Sequence, residues 1–477
     1  MGERVGARAA IGIPGRRYAF AILCLGYFMN VLDGTIVNVA LPSISADLGF
    51  SPSSLVWVVD GYLITYACFL ILGGRLADLF GPGHLFLLGI ALFTFASLLC
   101  GLAFSPDLLI CARAIQGLGS AVTSAVTLSL TMTLFPQDVD RARAMAIYSF
   151  ITVGGDGLGF LLGGTLTSAL NWRWIFLINV PLGATTYALG RVWLPDDRRN
   201  AVVTCLDIAG SLIGTSSLIL VVHAIVNGNE TNWTSLQTLG EFVGAITLMI
   251  LFVNVESRAT NPIVPLTLLR NRALLFNNIG VAFWSAAIFV WYYVSALYLQ
   301  VVLHYSPLQT GLAFLPANLA NAAFCLGVSA KVIRRFGIRR PLAIGSLVTA
   351  AGLILLALAP LDGTLAIDVL PGMLLVGLGS GLASAPLLIA TMGDADSSAT
   401  GLFAGIINTS SVLGATLGLA VATSAAAVFT RELFASGAGA PVALTGGYHF
   451  AFIIGAVFAA SGYASIALAL PRVFASK

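Results

Sequence analysis

The chain has 477 residues, of which 58% are hydrophobic and only 9% charged, with a net charge of +3 and a mean hydropathy of +0.96. Soluble domains carry about a quarter of their residues as charges, so these few cannot clothe a water-exposed surface. A soluble enzyme, a nucleic-acid binder and a disordered scaffold are excluded, and +3 is too small to select a polyanionic partner.

In chain order, apolar runs long enough for a spanning helix of about 20 residues occupy 18–41, 54–76, 84–104, 107–131, 143–168, 173–193, 204–226, 237–255, 275–302, 311–332, 341–360, 367–391, 399–428 and 448–470. The prediction is an all-α polytopic membrane protein with 14 transmembrane helices. The first run exceeds the apolar core of a signal peptide and is interrupted by Asp33, so it counts as helix 1. Lys and Arg gather in alternate loops. Arg113 lies within the fourth run, and Arg173 and Arg431 alone fall on the opposite side. That bias places both termini in the cytoplasm and the chain in a cell membrane as a multi-pass protein.

The six cysteines sit in or at the edge of apolar runs, and no Cys/His cluster has metal-ligand spacing, so no disulfide framework, metal or cofactor is expected. A P-loop is absent from the sequence, which argues against ATP as the energy source within this chain. A membrane-embedded enzyme would need a nucleophile–base or metal constellation, and none is visible.

The loop after the second run reads Gly73-Gly74-Arg75-Leu76-Ala77-Asp78-Leu79-Phe80-Gly81. Phe80, Gly81 and Gly89 recur as Phe336, Gly337 and Gly345, at one offset of 256 residues. With the seventh and eighth runs set aside, both loops join the second and third helices of a six-helix half. The chain thus divides into a tail 1–17, a bundle 18–193, an inserted pair 204–255, a bundle 275–470 and a tail 471–477. Parallel half-repeats around a central site are a transporter design.

Four ionisable residues lie inside apolar runs of the first half: Asp33, Asp60, Arg113 and Asp156. Each costs about 2.5–3.5 kcal/mol at a helix centre, so each needs a partner or water. Counting 1.5 Å per residue puts Asp33, Asp60 and Arg113 at roughly one level, ~9–12 Å from the outer end, and Asp156 near the midplane. Arg113, Gln116, Gly117, Ser120, Ser124, Thr127 and Thr131 form one stripe at helical spacing. Asn30, with Gly26, Asp33 and Val37, continues it on helix 1, and Asn38 follows one turn on. Such a stripe lines either an aqueous cavity or a dry seam. The cavity is the expectation, with Asn30, Asn38, Gln116, Ser120, Ser124 and Asp156 on its wall. Movement of Arg113 towards or away from Asp33 or Asp60 would change the acid's hold on a proton. That couples protons to conformation, whereas a static ion pair is the structural alternative.

Gly155, Gly159, Gly163 and Gly164 permit close backbone approach in the fifth run, as a packing seam or a hinge. Gly74, Asp78 and Gly81 are the corresponding gating candidates in the loop after helix 2. The ninth run is aromatic. Its Trp284, Trp291 and Tyr292 suit flat lipophilic molecules or cations, or else form an interfacial belt.

Together these strings resemble the major facilitator superfamily, and within it the fourteen-helix drug:proton antiporters. The resemblance rests on Leu32-Asp33-Gly34-Thr35-Ile36-Val37-Asn38-Val39-Ala40-Leu41-Pro42, Trp57-Val58-Val59-Asp60-Gly61-Tyr62 and Gly74 through Gly81. Arg113 with Gln116, Gly117 and Gly119, the helix 5 glycines, Trp172 through Pro181, and Asn408 through Ala420 complete it. The chain departs where Leu79, Pro82 and Gly83 replace basic residues, and where Phe160 stands in place of a proline. The resemblance implies proton-coupled efflux of lipophilic drugs or antibiotics, cations included, by alternating access. The alternative is proton-coupled export or import of one endogenous metabolite. The expected partners are a small molecule, protons and the bilayer, without nucleic acid, and the chain is expected to be monomeric.

Overall fold

The computed structural model describes residues 13–51, 54–135, 138–194, 208–231, 233–258, 272–392 and 400–469. A lipid-immersed backbone has no water to bond, so each span must satisfy its own peptide groups as helix. The described residues are accordingly almost all helical. The first six helices are α1 Ile13–Leu48, α2 Trp57–Phe80, α3 Pro82–Gly101, α4 Pro106–Leu134, α5 Asp138–Ala169 and α6 Asn179–Trp193, the last preceded by a turn at Trp174–Leu177. Two more, α7 Ile208–Thr231 and α8 Leu236–Arg258, follow. The last six are α9 Arg272–Leu297, α10 Pro307–Ala323, α11 Arg339–Leu356, α12 Leu370–Met392, α13 Thr400–Ala435 and α14 Ala440–Ala469. Wider π turns extend α9 over Tyr298–Val302 and open α12 over Leu365–Val369, and α10 continues through another to Ser329–Phe336.

Helical structure therefore lies at each expected run. By length and apolarity, 10 described helices can cross a membrane, with shorter apolar stretches at Ser54–Leu70 in α2 and Leu212–Val226 in α7. The expected 14 is not reached on that measure. Among the described residues α2, α5, α7 and α10 fall short of it, α2 and α7 as the shorter stretches.

Local chemistry sets the helix starts. Proline occupies the first position of α3, α4 and α10, where its missing N–H is harmless. Ser105 caps α4, and Ser306 with Gln309 forms a reciprocal capping box on α10.

The packing repeats along the chain. In the first six helices α2 and α3 pack on α4, and α1 packs on α5 and α6; in the last six α10 and α11 pack on α12, and α9 packs on α13 and α14. The offset seen in the sequence has a geometric basis. Gly81 and Gly337 both turn the chain with positive φ, 86° and 73°, a conformation costly for other residues. At Gly89 a Cβ would lie 3.1 Å from the Gly119 carbonyl, and at Gly345 one would lie 2.7 Å from the Gly379 carbonyl. The same close crossing is thus built twice, α3 on α4 and α11 on α12.

The two sets meet along α5–α10 and α2–α13. Helices α7 and α8 pack on each other, tied by the Ser217 hydroxyl donating to the Ala245 carbonyl at 2.8 Å. Helix α7 touches α2 and α13, while α8 turns Val243, Ile246 and Ile250 outward. An outward apolar face on a helix outside the bundles is what lipid contact requires.

Candidate functional site

Asp33 of α1 and Arg113 of α4 form an ion pair in the interior, with 0% and 1% of their side chains exposed. The pair is fully dressed. Arg113 Nη1 donates to Asp33 Oδ2, while Gln116 Nε2 and Asn179 Nδ2 donate to Oδ1 at 2.8 and 3.2 Å. Arg113 also donates from Nε to the Val58 carbonyl at 2.9 Å and from Nη1 to Gln116 Oε1 at 2.8 Å. Its guanidinium lies 4.3 Å from the Tyr62 ring centroid. Ser97 accepts from Gln116 and Asn179 and donates to the Phe176 carbonyl. Two buried charges stay together in low dielectric only when such extra hydrogen bonds offset their lost hydration.

One turn inward the same stripe continues. Asn30 Nδ2 donates to Ser124 Oγ at 3.0 Å, Ser120 Oγ donates to Asn30 Oδ1 at 3.2 Å, and the Tyr62 hydroxyl donates to Ser120 Oγ at 2.9 Å. Gly117 makes room for α2, since a Cβ there would sit 2.3 Å from the Tyr62 carbonyl. The stripe is packed in this conformation: Gln116, Ser120, Thr127 and Thr131 are all buried between helices.

Asp60 does not join Arg113. It is fully buried in α2, and neither carboxylate oxygen has a hydrogen-bond partner. The sequence places Asp33, Asp60 and Arg113 at one level, but level does not fix azimuth: α2 gives Arg113 its Val58 carbonyl and turns Asp60 elsewhere. Asn38 is buried with its amide donating to the Gly34 and Thr35 carbonyls of its own helix.

The helix 5 glycines work on two faces. A Cβ at Gly155, Gly159 or Gly163 would strike α1 at Val31, Thr35 or Ile36, the last through its carbonyl at 2.5 Å. Gly164 faces the other set, with the Pro307 carbonyl 2.4 Å from a Cβ placed there. Gly73 and Gly74, expected in a loop after helix 2, lie within α2, where a Cβ at Gly73 would come 3.1 Å from Val122 Cα, whereas Gly74 faces open space. Asp78 lies in α2, and its side chain is outside the described residues.

Where the sets meet, Phe160 of α5 stacks on Phe314 of α10 at 4.1 Å and lies 4.9 Å from Tyr292 of α9. Trp291 stacks on Tyr292 at 4.6 Å, and the Tyr292 hydroxyl donates to Asn318 Oδ1 at 3.3 Å. The ninth-run aromatics are thus buried rather than a belt facing lipid. Trp284 stands apart from this cluster, packed with Val281, Leu342 and Ile466. Asp156 is partly exposed beside the junction.

The sequence does not single out four residues that complete these arrangements. Asn179 donates to Asp33, Ser97 accepts from both Gln116 and Asn179, and Tyr62 joins the ion pair to the stripe. At the end of α1 remote from the N-terminus, Asp47 accepts from Arg173 Nη1 at 2.6 Å and from Trp172 Nε1 at 3.0 Å. A lone amide in an apolar run, as at Asn179, is the signal that could have found the first of them.

Residues 23–419 match the family model described as Major Facilitator Superfamily. The puromycin resistance protein pur8 of Streptomyces alboniger is 32% identical over 448 residues, covering 94% of this chain and 89% of that one. The cephamycin export protein CmcT of Amycolatopsis lactamdurans is 34% identical over 443 residues, covering 92% and 90%. In structure the chain is similar to a bacterial homolog of the human lysosomal transporter Spinster, solved inward-facing and unoccupied, with a TM-score of 0.64 at 16% identity over 96% and 97% of the two chains.

Proposed function

Because the chain belongs to the major facilitator superfamily, we propose that it is a proton-coupled secondary exporter that moves lipophilic drugs or antibiotics out of the cell by alternating access. The observation that carries the coupling is the sealed Asp33–Arg113 pair. Separating Arg113 from Asp33 removes the positive charge that holds the carboxylate ionised, so the acid can take a proton; restoring the pair expels it. Asp60, buried without a partner, is a second acid available to the cycle.

The two sets of six helices are the moving bodies, bounded at 18–193 and 275–470, with 204–255 inserted between them. Contacts between them at Gly164–Pro307, Ser168–Leu308 and Val39–Gln300 lie at the end of the bundle remote from both termini. With cytoplasmic termini, this is the conformation closed to the outside. The helix 5 glycines let α5 rock against α1 and α10, and Gly81 sets the turn between α2 and α3. Arg113, Asp33 and the Asn30, Gln116, Ser120 and Ser124 stripe then form the proton route. Asn38, Asp156, Trp284, Trp291 and Tyr292 line or support the substrate side. The chain acts as a monomer in the plasma or bacterial inner membrane, with no nucleic-acid partner.

The test is a susceptibility panel of puromycin, a cephamycin and a lipophilic cation in an efflux-deficient host. It is followed by export from proteoliposomes under an imposed pH gradient. Uphill export driven by inward proton flow supports the reading; flux indifferent to the gradient sinks it. The similarity to CmcT, a cephamycin export protein, favours a narrower second reading, a single dedicated substrate. Export of one panel compound and no other would establish that.

A further inference from the structure

The inserted pair and the last six helices do not close on each other over their whole length. Ser424 of α13 donates to the Ile225 carbonyl of α7 at 2.9 Å, and beside that contact lies a cleft of about 510 Å³. One wall is a single face of α13, where Val421, Ser424, Ala425, Val428, Phe429 and Glu432 follow one another at helical spacing. Ile225 and, beyond the end of α7, Trp233 supply the other wall. Phe450 of α14 also lines the cleft, stacked on Phe429 at 5.0 Å with an interplanar angle of 16°. A Cβ at Gly228 would lie 3.3 Å from the Trp233 ring, so the glycine lets the indole fold back onto α7. Val421 and Trp233 are 40% and 42% exposed, so the cleft opens on the outside of the bundle.

The chemistry of the cleft changes along its length. Its walls are apolar as far as Phe429, because the Ser424 hydroxyl is spent on Ile225. Such walls give water no partners. Glu432 is the one ionisable side chain among the lining residues. It is exposed, lies at the end of α13 remote from the chain termini, and forms no ion pair with a described residue. From Val421 to Glu432 the helix climbs 11 residues, or ~16 Å, about half of the ~30 Å hydrocarbon thickness of a bilayer. The cleft therefore runs through one leaflet. Its carboxylate and the Trp233 indole stand at headgroup level, where tryptophan is enriched.

An occupant of this cleft is apolar over the depth of one leaflet and positively charged at one end. We propose that the cleft binds one acyl chain of a phospholipid with a primary ammonium headgroup, phosphatidylethanolamine, whose ammonium meets Glu432. A primary ammonium has three N–H donors and forms a charge-assisted hydrogen bond to a carboxylate. A choline headgroup has no N–H to give, and an anionic headgroup is repelled. The bound chain fills the gap between α7 and α13 and ties the inserted pair to the last six helices.

The experiment is native mass spectrometry of the purified full-length protein, stripped of lipid and titrated with dioleoyl phosphatidylethanolamine, phosphatidylcholine or phosphatidylglycerol. In wild type the first phosphatidylethanolamine binds about tenfold more tightly than either of the others, a difference of ~1.4 kcal/mol. Glu432→Gln removes that preference and leaves phosphatidylcholine binding unchanged. Glu432→Lys transfers the preference to phosphatidylglycerol. Ala425→Phe fills the cleft and removes the tight site in protein that still melts cooperatively. Because Glu432 is exposed, its variants decide the question even if Ala425→Phe misfolds. Equal affinity for the three lipids in wild type overturns the assignment. So does a phosphatidylethanolamine preference that survives Glu432→Gln, or a tight site that persists in folded Ala425→Phe. Displacement of the tight lipid by tetraphenylphosphonium gives the cleft to a cationic cargo and overturns the assignment as well.

Discussion

Asp33 and Arg113, on α1 and α4 and 80 residues apart in the chain, are joined as a buried ion pair whose remaining polar atoms are satisfied by Gln116, Asn179 and Val58. Breaking one side of such a pair leaves an uncompensated charge, at a cost of about 3–5 kcal/mol. Arg113→Met is expected to lower thermal stability in detergent by an amount in that range. Combining it with Asp33→Asn costs less than the sum of the two single changes, with an interaction energy of about 1–3 kcal/mol. Additive losses would mean that the two side chains do not depend on each other.

Asp60 gives the opposite expectation. Its buried carboxylate oxygens have no partner, and leaving a polar group so costs about 1–3 kcal/mol. Asp60→Leu is therefore expected to raise the melting temperature while reducing pH-driven export. A destabilised Asp60→Leu protein would show that the acid has a structural role instead.

The glycine seam is position-specific. Alanine at Gly159 meets the Thr35 side chain, and at Gly163 it meets the Ile36 carbonyl of the α1 backbone at 2.5 Å. Overpacking of this sort costs about 1–3 kcal/mol. Gly74→Ala meets nothing within 4 Å and should leave stability and export within error of wild type. Thermal melts of the three variants check this directly; equal losses at all three positions would contradict it.

Much of this arrangement can be read from the sequence, because a helix in lipid converts residue number into depth. Depth counting brings Asp33 and Arg113 together, and the 256-residue offset predicts the paired turns at Gly81 and Gly337. Depth says nothing about direction around the helix axis, which is why Asp60 looks like an equal partner for Arg113 and is not one. Nor does spacing alone separate Gly73 from Gly74, adjacent residues on different faces. Phe160 stands where the resembling motif carries proline, and only the fold gives it a purpose: it stacks across the junction on Phe314 and Tyr292. Asn179 lies within a quoted string, but its reach to Asp33 spans 146 residues of chain.

The junction at the end remote from the chain termini can be locked. The Leu308 N–H donates to the Ser168 hydroxyl at 3.0 Å across the two sets, so cysteines at these positions are within reach of a disulfide. Ser168→Cys with Leu308→Cys is expected to abolish export under oxidation and recover it on reduction. Undiminished export by the cross-linked protein would show that these ends need not separate.

The coupling role of Asp33 is tested most directly by export from proteoliposomes under an imposed pH gradient, comparing wild type with Asp33→Asn and using the compound best exported in the susceptibility panel. Wild type should move it uphill as protons flow inward. Asp33→Asn should retain downhill exchange and lose the response to the gradient, by a factor of about 100 or more on the scale typical of proton-transfer groups. Uphill export by Asp33→Asn at the wild-type rate would contradict the account.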